Sequence, residues 1–242
     1  MIEGPNLVFL KNKLQRYKGK IVSEVSGEAE LDYELLKNIQ LFDIQSFGKN
    51  LLFVFSNFFL NIKVVSMGDI LVNKRKKLNA DLSLQFKEGE INFYQSEIKI
   101  YQGKPSDHFN FKKDILKPEF DADFILNEWQ RNHSERVIGD VLFEQNSVVG
   151  IGAIIRTETL YHAKINPQSI IKAIPEKKLI FLLKMVVDYA EEFLSLLKTD
   201  EVEKNALIFA KKTCPKDRTP ILNKEIGSAK IYVCAKCQKL FN

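Results

Sequence analysis

An α+β fold in three consecutive parts is predicted: an N-terminal β-sandwich behind a leading helix, a helical region, and a C-terminal β-ribbon. Three patterns in the 242 residues predict it. Short runs of alternating apolar and polar residues fill roughly 20–101, longer helical periodicities follow, and all the cysteines fall after position 213. The expected boundaries are 1–118 for the sandwich, 119–212 for the helical domain and 213–242 for the ribbon.

The leading helix rests on Leu7, Leu10 and Leu14, one face at helical spacing, with Gly19 as its stop. After it come KIVSEVSG, LFDIQSFGKN, LLFVFSNFFLNIKVVSM, DLSLQF, EINFYQ and EIKIYQ, separated by Gly, Asn and Asp. So many short strands at close spacing argue for an antiparallel sandwich or barrel. GKPSDHFNFKKDILKPEFDAD, with Pro105 and Pro118 and little periodicity, reads as a linker. Helices are expected over ADFILNEWQRN, RVIGDVLFEQNS, AIIRTETLYHAK, NPQSIIKAI and EKKLIFLLKMVVDYAEEFLSLLKTD, with Pro167 and Pro175 at two N-termini.

The composition, 45% apolar and 28% charged, is that of a globular chain. No apolar run reaches the ~18 residues a membrane helix needs, and Glu3 without a basic leader argues against a signal peptide, so a cytoplasmic location is expected; the chain is also expected to be a monomer. A net charge of +5 suits a nucleic-acid partner without requiring one. Cys234 and Cys237 form a C-x-x-C pair, Cys214 adds a third thiolate, and Asp217 stands where a second such pair would place its second cysteine. This predicts a structural zinc site of Cys214, Asp217, Cys234 and Cys237. The alternative is a ribbon held by packing and strand pairing without metal. His108, His133 and His162 are scattered singly and carry no assigned role.

The chain resembles the Fpg/Nei family, the formamidopyrimidine-DNA glycosylase and endonuclease VIII-like repair enzymes. The residues that carry the likeness are MIEGP, SFGKNLLF, GDVLFEQNSVVGIGAIIRTETLYHAKINP and VCAKCQK, in family order over the whole length. The resemblance implies a helix-two-turns-helix at about 138–167 and a zinc-finger-like ribbon. It also implies damaged or abasic DNA, in duplex form, as the partner, with a nucleoid location if the source is bacterial.

The resemblance further implies base excision followed by strand nicking through a terminal amine that attacks the sugar C1′ as a Schiff base. An α-amino group titrates near 7.7–8.0, so a useful fraction is nucleophilic at neutral pH. Glu3 takes the acid/base role toward the sugar ring oxygen. At position 2 the family usually has Pro; here Ile2 is expected to retain Met1, shifting the amine by up to about 3.6 Å of chain. Met1, Ile2, Glu3 and Lys49 are therefore the catalytic candidates. Lys49 is also a DNA-binding candidate, with Lys63 (in place of a family His), Met67 beside the gap-filling position, Gly150 and Gly152 for close backbone approach, Ala153 (in place of a phosphate-binding Asn) and Lys230 beside Ala229, where the family has Arg. Glu158 aligns with an acidic position of the second helix. Three functions follow: a DNA glycosylase with abasic-site lyase activity, a catalytically impaired relative that binds damaged or unusual DNA without excising bases, or a scaffold that has lost DNA binding and does something else.

Overall fold

The computed structural model describes residues 2–226 and 229–242, apart from the side chains of Met67 and of 224–226 and 229. The chain divides into two units, one holding Ile2 with Asn6–Asn110 and the other Glu3–Pro5 with Phe111–Asn242.

The first unit carries most of α1 (Gly4–Leu14), whose Leu7, Leu10 and Leu14 are buried as their spacing predicts. Its strands are β1 (Ile21–Ser26), β2 (Ile39–Gln40), β3 (Asp43–Phe47), β4 (Asn50–Val54), β5 (Phe58–Lys63), β6 (Ile70–Val72), β7 (Leu82–Phe86), β8 (Gly89–Phe93) and β9 (Glu97–Gln102). They form two antiparallel sheets, of order β2-β1-β7-β8-β6 and β3-β4-β5-β9. Alternation puts Leu82, Leu84 and Phe86 into the core, with Ile44, Leu51, Phe53, Leu60 and Ile62 from the second sheet. The intervening Ser83 and Gln85 face the other way, and Ser83 pairs in register with Ser26 on one side and Asn92 on the other.

The stretch read as a linker is ordered. Within it, α2 (Pro105–His108) begins on a buried proline, and the segment covers aromatic residues on the β3-β4-β5-β9 sheet. Phe109 stacks on Phe47 with centroids 4.6 Å apart, and His108 meets Tyr101 edge-on at 5.0 Å. Phe59 and Tyr101 form a stacked pair that needs such a cover, each contact worth roughly 0.5–1.5 kcal/mol beyond area burial.

The second unit contains α3 (Ala122–Asn132), α4 (Ile138–Val141), α5 (Ala153–His162), α6 (Glu176–Leu196) and α7 (Val202–Asn205), then the ribbon of β10 (Leu222–Ile226) and β11 (Ala229–Val233). Asp121 caps α3 by accepting from Phe124 N, and Trp129 on its inner face is fully buried with its indole N–H on Ser147 Oγ at 2.8 Å. Pro175 caps α6, which buries Leu179, Leu182, Leu183, Val186, Ala190 and Phe193. Ile231 and Val233 of β11 and Phe241 belong to the same apolar cluster as α5 and α6.

Two expected helices are much shorter than their patterns. RVIGDVLFEQNS keeps one helical turn, α4, and NPQSIIKAI keeps only a 3-10 turn at Ile171–Ala173. The cause is backbone pairing from elsewhere in the chain. Residues 166–170 make a turn, closed by Ser169 N on Asn166 O at 2.9 Å, and otherwise pair outward, with Asn166 N on Lys239 O, Ile170 N on Phe241 O, and the carbonyls of Pro167 and Ser169 taking Gly139 N and Ile138 N. Pro167 thus sits in a turn rather than at the start of a helix. Among the described residues no helix is long and apolar enough to cross a membrane.

Candidate functional site

Glu3 is fully buried at the N-terminus of α5. Its Oε1 accepts from Ile154 N at 2.7 Å, and its Oε2 from Gly152 N and Ile155 N, each at 3.1 Å. These first-turn N–H groups have no partner within their own helix, and the helix dipole adds positive potential there. Glu3 thus supplies the acceptors that these three donors lack within their own helix. The connection is held beside it by Gly4 N on Gly150 O at 2.7 Å, with Gly150 at φ +99°. Gly152 has ordinary extended backbone angles, φ −118° and ψ −160°. It must be glycine for space: a Cβ there would lie 2.3 Å from Glu3 Cδ. Glu3 therefore caps α5, from 149 or more positions away, rather than the α1 helix that follows it in sequence.

The other candidates are placed as follows. Met1 lies outside the described residues. Ile2 is 5% exposed within the apolar core of the first unit. Lys49 follows Gly48 in the turn between β3 and β4 and is half-buried. Lys63 ends β5 and faces Glu97 across the ladder, Nζ to Oε2 3.7 Å, an exposed pair worth little. The Met67 side chain is outside the description. Ala153 opens α5, is 2% exposed and carries only a methyl, so its side chain offers no donor. Lys230 is exposed on β11, while its carbonyl accepts from Arg156 Nη2 at 3.2 Å.

Glu158 is a clamp. Fully buried, it accepts from Leu207 N, Ile208 N and Phe209 N at 2.7–3.0 Å, tying α5 to the segment that leads into the ribbon. Glu158→Gln turns an amide N–H₂ toward these donors and is expected to cost about 2–4 kcal/mol in urea unfolding. A loss below about 1 kcal/mol would show that the clamp does not hold the segment.

Two residues were not singled out from sequence. Arg156 is fully buried in α5, with Nη1 on Gly139 O at 3.1 Å and the Phe143 ring 4.4 Å from Cζ. Burial pulls its pKa down to about 10 against the opposing charges of Asp140 and Glu3, so it stays cationic at neutral pH. It links α4, α5 and β11. Its one sequence signal is an arginine inside AIIRTETLYH, a helix whose residues Ala153–Tyr161 are all buried. Tyr161 sets its hydroxyl 3.2 Å from Cys214 Sγ. Burial and the cysteine partner push its pKa far up, so Tyr161 keeps its proton and is the donor toward a thiolate.

The structure brings Cys214, Asp217, Cys234 and Cys237 together, with one ligand atom of each within 4.8 Å of all the others. Cys214 Sγ and Cys237 Sγ are 3.8 Å apart, Cys237 Sγ and Asp217 Oδ2 3.4 Å, and Cys234 Sγ and Asp217 3.7 Å. A tetrahedral ion with metal–sulfur bonds near 2.3 Å and metal–oxygen near 2.0 Å requires edges of about 3.8 Å and 3.5 Å. The donor set fits. Asp217 Oδ1 is oriented by Thr219 N at 3.0 Å, which holds its carboxyl below the usual carboxylate range. Burial, with Asp217 alongside, pushes the Cys237 thiol up to about 12, so a bound cation must displace protons.

The H2TH domain of formamidopyrimidine-DNA glycosylase matches residues 112–200, the stretch containing α3 to α6. Endonuclease 8-like 3 of Homo sapiens is 23% identical over 98% of this chain, and that of Mus musculus 26% identical over 81%. The chain is thus similar to Fpg/Nei proteins along its length, with the matched H2TH domain at residues 112–200. It spans 42% of the human relative's length and 34% of the mouse one's. The likeness of fold extends over nearly the whole chain: formamidopyrimidine-DNA glycosylase of Lactococcus lactis, solved non-covalently bound to DNA with an AP site, superposes with TM-score 0.84 at 18% identity, covering 98% of this chain and 99% of that one. A viral DNA glycosylase superposes with TM-score 0.81 at 20% identity, covering 98% and 100%.

Proposed function

We propose that this chain is an Fpg/Nei member that recognises damaged DNA and excises the altered base, followed by abasic-site lyase chemistry at an α-amino group ahead of Glu3. The observation that carries the reading is the buried Glu3 carboxylate fixed at the start of α5 by three backbone donors. A carboxylate held this rigidly beside an attacking amine stabilises the cationic Schiff base and exchanges a proton with the sugar ring oxygen. Lys49, Lys63, Lys230 and the backbone around Gly150 and Gly152 are the proposed DNA contacts, with Met67 near the gap left by the flipped base. A duplex partner held through lysine–phosphate contacts loses affinity as salt rises.

The quartet of Cys214, Asp217, Cys234 and Cys237 is proposed to hold zinc. The ion would supply structural cross-linking of the ribbon, with three thiolates and one carboxylate as ligands and the Tyr161 hydroxyl donating to Cys214 Sγ.

A second reading, binding of damaged DNA without excision, is favoured by the burial of Ile2 and by Ala153, which offers no donor where the family has Asn. Borohydride trapping on abasic-site DNA separates the two. The enzyme reading expects a covalent adduct that Glu3→Gln reduces by about 100-fold or more. Gel-shift binding without an adduct supports the second reading, and absence of both refutes each. Intact mass of the trapped species identifies whether Met1 or residue 2 carries the amine.

A further inference from the structure

We infer that the outer face of the β2-β1-β7-β8-β6 sheet carries a mononucleotide site, roofed by the basic loop 73–80. A cavity of about 320 Å³ lies between that loop and the sheet, inside the range of small-molecule sites. Its floor is polar by register: Ser26, Ser83 and Asn92 lie side by side on three adjacent strands, on the face opposite the core. Ser83 is 3% exposed, and its buried Oγ has no hydrogen-bond partner among the described residues. Asn92 is 1% exposed and commits its amide nitrogen to Lys74 O and Glu90 Oε1, both at 2.9 Å, which leaves Oδ1 as the acceptor on offer.

The roof is built rather than loose. Lys76 N donates to Tyr94 OH at 3.0 Å, and Asn79 Nδ2 to Glu28 Oε1 at 2.6 Å. Two of its cations are committed, Arg75 to Glu90 and Lys76 to Asp69. Lys77 lines the cavity, is exposed, and has no ion-pair partner among the described residues. Glu28 on the wall accepts from Asn79 Nδ2 through Oε1, which turns that oxygen toward the roof.

A ligand that answers this arrangement has N–H donors for Asn92 Oδ1, a polar edge for Ser83 Oγ, and an anionic group for Lys77 at the rim. A nucleoside monophosphate has all three: the exocyclic amine and ring atoms of the base enter, and the phosphate stays at the mouth. The site lies wholly within the first unit and does not depend on the base-excision reading.

The test titrates the full chain with dCMP, deoxycytidine and inorganic phosphate, reading the backbone amide resonances of Gly27, Lys77, Ser83 and Asn92. Saturable shifts at millimolar dCMP are expected, with deoxycytidine and phosphate each weaker by at least about tenfold. Ser83→Leu, which fills the floor, and Lys77→Glu, an exposed change that leaves folding intact, are each expected to weaken dCMP by at least about tenfold. If Ser83→Leu also weakens a short unpaired oligodeoxycytidylate, the natural source is a DNA strand; if it weakens only dCMP, the source is free nucleotide. No shift at these amides, equal binding of phosphate alone, or unchanged affinity in Lys77→Glu would overturn the proposal.

Discussion

Gly152→Ala is expected to release Glu3 from α5 and to lower the yield of borohydride-trapped adduct by at least about 100-fold. The new methyl would sit 2.3 Å from both Cγ and Cδ of Glu3. The backbone need not move, because φ −118° and ψ −160° suit alanine; the glutamate side chain must leave instead. It then forfeits three hydrogen bonds to N–H groups and leaves those donors at a buried helix end. The expected stability cost is about 2–4 kcal/mol. A double-mutant cycle isolates the cause: in a Glu3→Ala background, Gly152→Ala should be nearly free, giving a coupling energy of at least about 2 kcal/mol. Additive effects would mean that Gly152 is glycine for some other reason.

The second large effect is expected at the ribbon. Chelation of the proposed zinc, or Cys234→Ser, should unfold the ribbon, read as loss of hydrogen-exchange protection at Ile231 and Val233. Both lie in the cluster shared with α5 and α6, so the loss should spread into the core of the second unit. Affinity for the ion should rise with pH, since the metal-free Cys237 thiol is pushed up to about 12 and its proton must leave on binding. Asp217 makes the set unusual, because carboxylate oxygen is a harder donor than thiolate. Asp217→Ala should weaken zinc about 100-fold, and Asp217→Cys should tighten it about tenfold or more, by competition with a chromophoric chelator. Unchanged affinity in Asp217→Ala would remove it from the ligand set and leave a three-thiolate site.

Much of this was legible along the chain because the signals are local. The face of α1 needs only Leu7, Leu10 and Leu14; α3 needs Asp121 ahead of an amphipathic stretch; α6 needs Pro175 and a long periodic run. Alternation in DLSLQF and EINFYQ is enough to separate core from outer face on β7 and β8. The Cys214, Asp217, Cys234 and Cys237 quartet is likewise written in spacing, since two C-x-x-[CD] turns at the ends of a two-strand ribbon converge when the ribbon closes.

What misled was equally local. NPQSIIKAI has a helical pattern, yet many of its N–H and C=O groups are claimed by Lys239, Phe241 and the start of α4, so it forms a turn and a 3-10 turn instead of a helix. The stretch around Pro105 lacks periodicity but is ordered by the aromatic residues it covers.

By itself, then, the sequence determined the α+β class, the order of sandwich, helices and ribbon, and the residue types available for chemistry. Only the tertiary structure decided what several of them do. Glu3 caps a helix that starts 150 residues later, Gly152 is small to admit it, and Arg156 and Glu158 turn inward to tie α5 to its neighbours. Periodicity records which face of an element is buried, because that repeats along the chain. A carboxylate meeting the unpaired N–H groups of a distant helix repeats nothing, and it exists only once the two segments have been brought together.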